Sequence, residues 1–228
     1  MNGFLKIFPF ILSFALSACF GSASREKAEP EEIYFDYRIT GEEGNDSVSV
    51  MLKFREFDEH GPAVSVETGS VLLDGKAVSA DSTPMTGPFY LVIKPLQEFT
   101  GKHTITVTLP GKKKFNEEFY FRPFSIRSGI SDTMGRDKIV LDLEGLDKKD
   151  YVRVLMMDTS FTGDGINRLD TVWNNKLMLS KYSLSYLESG PIHLELIRET
   201  EKLVENHTGA GGTITVLYTI RREFWLRD

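Results

Sequence analysis

Apolar and polar residues alternate with a period of two along most of the chain after residue 32. The clearest segment places Ile33, Phe35, Tyr37 and Ile39 on one face. Successive side chains of a strand point to opposite faces, so this alternation predicts a half-buried β-strand. Similar segments occur at 48–55, 89–94, 103–109, 115–122, 138–143, 151–157, 176–179, 192–197 and 213–226. We therefore predict an all-β protein without a long helix.

Turn residues divide these strands into two groups. Asp74-Gly75, inside the segment 72–78, is the pair typical of a tight hairpin. Pro123 interrupts the pattern, because proline cannot donate to a central ladder. Short strands at this spacing suggest antiparallel sandwiches. The arrangement resembles tandem immunoglobulin-like β-sandwiches, and we predict two such domains over residues 33–123 and 124–228.

The N-terminus has the features of an export signal. Lys6 precedes an uncharged, mostly apolar run over residues 7–18. A membrane-spanning helix needs roughly 20 apolar residues, so this run is too short. A basic start, a short apolar core and small residues at the end predict a signal peptide over residues 1–18. The polar, charged segment that follows, up to residue 32, has the composition of a flexible tether.

Leu16-Ser17-Ala18-Cys19 resembles the lipobox of bacterial lipoproteins, and Cys19 is the one cysteine of the chain. The resemblance implies cleavage before Cys19 and acylation there, with palmitate among the expected chains. Two or more acyl chains give stable membrane attachment. Phe20, rather than Asp, follows, which in this family favours the outer membrane of the cell envelope. The alternative is a buried structural cysteine, since free Cys packs as a small hydrophobe.

The charge balance argues against nucleic acid as a partner. The whole chain has 27 basic and 33 acidic residues, and removal of Lys6 with the signal changes the net charge from −6 to −7. An acidic protein without a basic stripe is a poor nucleic-acid binder. The one basic cluster, Lys112-Lys113-Lys114, follows Pro110-Gly111 and is interpreted as a solvated hairpin turn.

The sequence contains no recognisable catalytic motif. None of its four histidines has metal-ligand spacing to another histidine or to the cysteine. His103 shares the inward parity of Ile105, which favours a hydrogen-bonded histidine at a strand end over a general base. We therefore predict a non-catalytic binding or assembly module that needs no cofactor. The alternative is an envelope hydrolase with scattered catalytic residues, which a Ser–His contact or a carboxylate pair in a pocket would reveal.

One loop partly resembles a calcium-binding loop. Oxygen-bearing side chains stand at alternate positions with a glycine among them. The candidate ligands are Asp158, Ser160, Thr162, Asp164 and Asp170. Leu169 occupies the position where a bidentate carboxylate belongs, and strands flank the loop. We expect an Asp/Gly turn rather than a metal site.

Four Asp–Ser/Thr–apolar triplets resemble the acceptor used for O-glycosylation in some bacterial envelopes. Their hydroxyl residues are Ser47, Ser82, Thr133 and Thr171. The competing explanation is local, because Asp, Ser and Thr begin turns by hydrogen-bonding their own backbone.

The last strand indicates where a partner could bind. Its alternation puts Ile214, Val216, Tyr218 and Ile220 on the core face, and therefore Leu217, Arg221 and Trp225 on the opposite face. Trp and Arg are enriched among the residues that dominate binding energy. An envelope protein or a glycan is the expected partner. Alternatively, a bulge shifts the register, or Trp225 packs against the neighbouring domain.

Overall fold

The computed structural model describes residues 32–66, 70–159 and 165–228. The strands before Pro123 are β1 (Ile33–Glu42), β2 (Ser47–Glu56), β3 (Ala63–Val64), β4 (Ser70–Leu73), β5 (Lys76–Ala77), β6 (Ala80–Thr83), β7 (Gly87–Pro95), β8 (Gly101–Thr108) and β9 (Lys114–Phe121). The elements after it are β10 (Ser125–Ile126), β11 (Thr133–Gly135), β12 (Lys138–Glu144), β13 (Tyr151–Asp158), β14 (Ile166–Thr171), β15 (Lys176–Ser180), α1 (Lys181–Leu184), β16 (Gly190–Thr208) and β17 (Gly211–Arg227). The all-β prediction is confirmed.

The strands form three sheets. The main sheet has the order β14-β13-β16-β17-β1-β2-β7-β6, with β11 beside β17 and β3 beside β2. A four-stranded sheet has the order β5-β4-β8-β9, and a three-stranded sheet has the order β10-β12-β15. Most pairs are antiparallel, but β17 pairs in parallel with both β1 and β11. The local alternation gave no sign of these two parallel pairs, since they join segments far apart in the chain.

Strands β16 and β17 form a long hairpin that pairs with strands from before and after Pro123. The first part of β17 pairs with β1, from Phe35 beside Gly212 to Glu42 beside Thr219. The last part of β17 pairs with β11, and the first part of β16 pairs with β13. The hairpin therefore pairs with strands on both sides of the boundary predicted at Pro123. The division into two domains stays a prediction.

The buried faces follow the predicted parity. Phe35, Ile39, Leu52 and Phe54 are inaccessible to solvent, and the apolar inward residues of β12, β13 and the first half of β16 are at most 2% exposed. Burial of apolar surface contributes about 25 cal/mol per Å², so these faces supply most of the stabilisation. They belong to one continuous core. The predicted hairpin at Asp74-Gly75 is also present, with φ values of 51° and 75° that suit a two-residue turn.

One predicted loop contains a strand. Residues 166–171, which the sequence analysis placed in the loop between Asp158 and Asp170, form β14 and pair with β13. The alternation there is short, and Arg168 and Asp170 occupy the inward side as a mutual ion pair at 2.8 Å. Because these inward residues are charged, the segment lacked the apolar pattern of a strand.

Candidate binding surfaces

The predicted partner surface lies on the face of β17 that points away from the core. Ile214, Tyr218 and Ile220 are buried on the inner side. On the outer side Trp225 is 51% exposed, Arg221 is exposed and Leu217 is half-buried. The register of β16 and β17 shifts only between Leu203 and Thr208, near the hairpin tip. Trp225 lies at the other end of the strand, so its side chain keeps the predicted outward parity.

Arg221 is held across three strands. Its Nε lies 2.7 Å from Oε1 of Glu195 on β16, and its Nη1 contacts Glu42 on β1. The hydrogen bond to Glu195, followed by the charges of both carboxylates, raises the pKa of Arg221. The guanidinium is therefore pre-oriented on the sheet, where a partner would meet a fixed group instead of a mobile one.

Trp225 lies between two short neighbours. Its register partners are Pro191 on β16 and Thr133 on β11, and its backbone amide donates to the carbonyl of Asp132 at 2.8 Å. Neither neighbour has a large side chain to cover the indole, which explains its exposure. Leu217 lies eight residues away along the strand, roughly 27 Å at the rise of a β-strand. Arg221 lies between them, four residues from each.

The candidate glycosylation residues are on four different strands. Ser47, Ser82 and Thr171 are exposed, and Thr133 is half-buried. The Asp81 carboxylate accepts a hydrogen bond from the Ser82 amide at 2.7 Å, as the local turn interpretation expects. The structure does not gather these hydroxyls into one region, and glycosylation stays a prediction.

The candidate calcium ligands do not converge where they can be located. Ser160, Thr162 and Asp164 lie outside the described residues. Asp170 pairs with Val152 across the β13–β14 hairpin, whereas Asp158 is six residues further along β13. That separation is roughly 20 Å at about 3.3 Å per residue, so one ion cannot bind both carboxylates. Asp158 instead accepts the backbone amide of Glu188 at 2.9 Å.

The histidines have structural partners. His103 lies 2.8 Å from the Asp74 carboxylate through Nδ1 and 2.9 Å from the Phe99 carbonyl through Nε2. It also stacks on the Phe99 ring at 3.8 Å. Both ring nitrogens are used, as predicted for a hydrogen-bonded histidine at a strand end. His193 pairs with Glu223 at the surface.

A groove that the sequence analysis missed lies between β9 and the β16–β17 hairpin. It has a volume of about 790 Å³, and its lining includes Tyr120, Arg198, Thr200, Lys202 and Val216. Lys202, one of these lining residues, forms an ion pair at 2.7 Å with the buried carboxylate of Glu117. One signal was available in the sequence. Inward positions of β16 are apolar up to Leu196 and polar from Arg198 to Lys202.

No helix among the described residues is long and apolar enough to cross a membrane. Within the same residues, no group of three or more His, Cys, Asp or Glu side chains could hold a metal ion. Cys19 and the rest of the predicted lipobox lie outside the described residues.

No protein-family model and no curated protein sequence matches the chain. Several solved structures align with it. The DIP-gamma IG1+IG2 structure is 10% identical, with 82% of this chain and 94% of that chain covered and a TM-score of 0.25. A 1.5-MDa bacterial ice-binding adhesin is 13% identical, with coverages of 88% and 66% and a TM-score of 0.27. Adhesin InvE of Yersinia pseudotuberculosis is 10% identical, with coverages of 88% and 60% and a TM-score of 0.24. These TM-scores are below 0.5, so the alignments carry no conclusion about function.

Proposed function

We propose that this protein is a non-catalytic binding module of the bacterial cell envelope, anchored in the outer membrane through lipid on Cys19. The module binds an envelope protein or a glycan with the outer face of β17. The observation that carries this proposal is the pair Arg221 and Trp225, a fixed cation and a half-exposed indole on one flat strand face. Such residues dominate the binding energy of many interfaces.

The surface is tested by comparing two tryptophans. Trp225→Ala removes the indole from the proposed surface. Trp173→Ala is the matched control, because Trp173 is 59% exposed and lies beside Lys149, outside β17. Cross-linked partners of the anchored protein are quantified for both variants. We expect Trp225→Ala to lose most of the recovered partner with a nearly unchanged melting temperature, and Trp173→Ala to retain it. Equal recovery from both variants refutes the surface, and a large drop in the melting temperature of Trp225→Ala identifies Trp225 as a core residue.

The anchor is tested separately. Cys19→Ser should yield a protein that incorporates no labelled fatty acid and does not sediment with membranes. Density fractionation of the unaltered protein then distinguishes outer from inner membrane. A variant that is still cleaved and lipid-labelled contradicts the lipobox assignment without affecting the binding surface.

A further inference from the structure

Strand β9 has one free edge. Among the described residues it pairs only with β8. The carbonyl of Thr104, the register partner of Glu118, accepts a hydrogen bond from the Asp74 amide at 2.9 Å, on the side of β8 away from β9. Because hydrogen-bonded and non-hydrogen-bonded pairs alternate in antiparallel strands, Glu118 also turns its amide and carbonyl away from β8. The same holds two residues away, at Asn116 and Tyr120.

No strand pairs with this edge among the described residues, but two cationic side chains from β16 hydrogen-bond to its carbonyls. Nζ of Lys202 lies 3.2 Å from the carbonyl oxygen of Glu118, and Nη1 of Arg198 lies 3.3 Å from that of Arg122. These donors stand where the amides of a neighbouring strand would stand. Cationic side chains at a strand edge discourage uncontrolled pairing. An added strand that donates to these two carbonyls must therefore displace Lys202 and Arg198 from them.

On this side β16 continues beyond the end of its pairing with β13. The pairing of β13 with β16 ends at Ile197, so beyond it the described neighbour of β16 is β17. Thr200 on the inner face of this extension is exposed. Thr200 and residues of β9 line the groove. Its volume of about 790 Å³ is within the usual range for binding sites, about 300–1,000 Å³.

We propose that this groove binds one extended segment of a partner polypeptide, which pairs with β9 as an additional strand. Main-chain hydrogen bonds to a sheet edge give affinity in this mode of recognition, and pockets for alternate side chains give specificity. The site is separate from the outer face of β17 and does not depend on it.

The charges of the groove select an uncharged segment. Each of its three cations already has a carboxylate partner: Arg122 with Asp147 at 3.0 Å, Arg198 with Asp150 at 2.8 Å and Lys202 with Glu117 at 2.7 Å. A charged side chain that enters would lose hydration and find no unpaired counter-ion. Hydroxyl and small apolar side chains suit the positions that face Thr200 and Val216.

The probe is a capped heptapeptide of alternating Thr and Val, titrated into the ¹⁵N-labelled chain of residues 31–228 and followed by amide NMR. We expect shifts at the amides of Asn116, Glu118 and Tyr120. The control peptide has the same sequence with N-methylated backbone amides, which cannot donate to β9 and whose methyl groups keep the two backbones apart, and it should give none of these shifts. No shift at millimolar peptide, equal shifts with both peptides, or shifts confined to other strands would overturn the proposal.

Two variants at one position separate backbone from side chain. Tyr120→Pro removes an amide that points into the groove and spares the bonds to β8, and we expect peptide affinity to fall about tenfold, the effect of one lost backbone hydrogen bond. Tyr120→Ala keeps that amide, so we expect it to lose less affinity than Tyr120→Pro, although it removes a side chain that lines the groove. Equal losses of affinity in the two variants would refute strand addition. A concentration-dependent dimer that Tyr120→Pro abolishes would make a second copy, and not a peptide, the occupant.

Discussion

The two halves of β16 have different surroundings. In the first half, which pairs with β13 and β17, the inward residues Ile192, Leu194 and Leu196 are at most 1% exposed. In the second half β13 has ended, and the inward positions up to Lys202 are polar or charged. The change in side-chain polarity coincides with the loss of one neighbouring strand. A strand that keeps its period while its inward residues become polar therefore indicates an open edge.

The open half nevertheless contributes to the core. Val204 is 1% exposed, and the Glu117 carboxylate of β9 accepts the Glu205 amide at 2.8 Å. Opposite it, the first part of β17 pairs with β1 and supplies Ile214 to the core. The open half thus connects the later strands to the earlier ones, although its inner face is partly wet.

The largest effect is expected when this connection is removed. Residues 33–123 expressed alone lose the parallel neighbour of β1 and the buried side chains of β17. We expect this fragment to lack a cooperative thermal transition in circular dichroism, whereas residues 31–228 melt cooperatively. A cooperative transition of the fragment would show that residues 33–123 form an independent domain, as the sequence pattern predicts, and that the hairpin is an accessory to it.

A pair of truncations tests the difference between the two halves directly. Leu196 is fully buried, so Leu196→Ala should lower the free energy of unfolding by about 2–5 kcal/mol. Thr200 is exposed on the same face, so Thr200→Ala should change it by less than about 0.5 kcal/mol. Urea unfolding of both variants measures the values. Similar losses would mean that the open half is covered in solution, by a partner copy or by another segment.

The sequence predicted the strands better than their partners. Alternation located segments such as 33–39 and 213–226, because parity depends only on local order. It could not show that β17 continues past β1 to β11, since pairing between distant segments leaves no periodic signal. The short strands β3, β6 and β10 were missed for another reason, because two to four residues give too little alternation to recognise.

The candidate sites show the same limit. The outward parity of Trp225 was readable from the chain, and the structure places its side chain in solvent. The polarity change along β16 did not locate the groove, because Glu117 and Lys202 are 85 residues apart in the chain and meet only when β9 lies over β16. A charged residue at an inward position, Glu117 between Phe115 and Phe119, was the available sign of a buried ion pair.

A smaller effect is expected from breaking that ion pair. Lys202→Met leaves the Glu117 carboxylate buried without its cation, and Glu117→Gln removes the charge from the other side. We expect Lys202→Met to lower the free energy of unfolding by about 1–2 kcal/mol, less than for a fully buried pair because the Lys202 side chain is 39% exposed. Combining Lys202→Met with Glu117→Gln should restore part of the free energy of unfolding that Lys202→Met loses. Strictly additive losses in the double-mutant cycle would contradict a direct interaction.

The smallest effect at neutral pH is a pH dependence of the same region, because it begins only above about pH 10. Burial, and then the charge of Glu117, raises the pKa of Tyr37 well above its ordinary value of 10.0. Burial lowers the pKa of Lys202, but its hydrogen bond and attraction to Glu117 outweigh this and raise it. The folded state therefore keeps protons that the unfolded state releases, so stability is fully present below about pH 10 and falls as pH rises further. One buried group gives a slope of about 1.4 kcal/mol per pH unit. Urea unfolding between pH 8 and 11.5 measures it, and Tyr37→Phe should make the decline shallower, whereas an unchanged slope would exclude Tyr37 as its source.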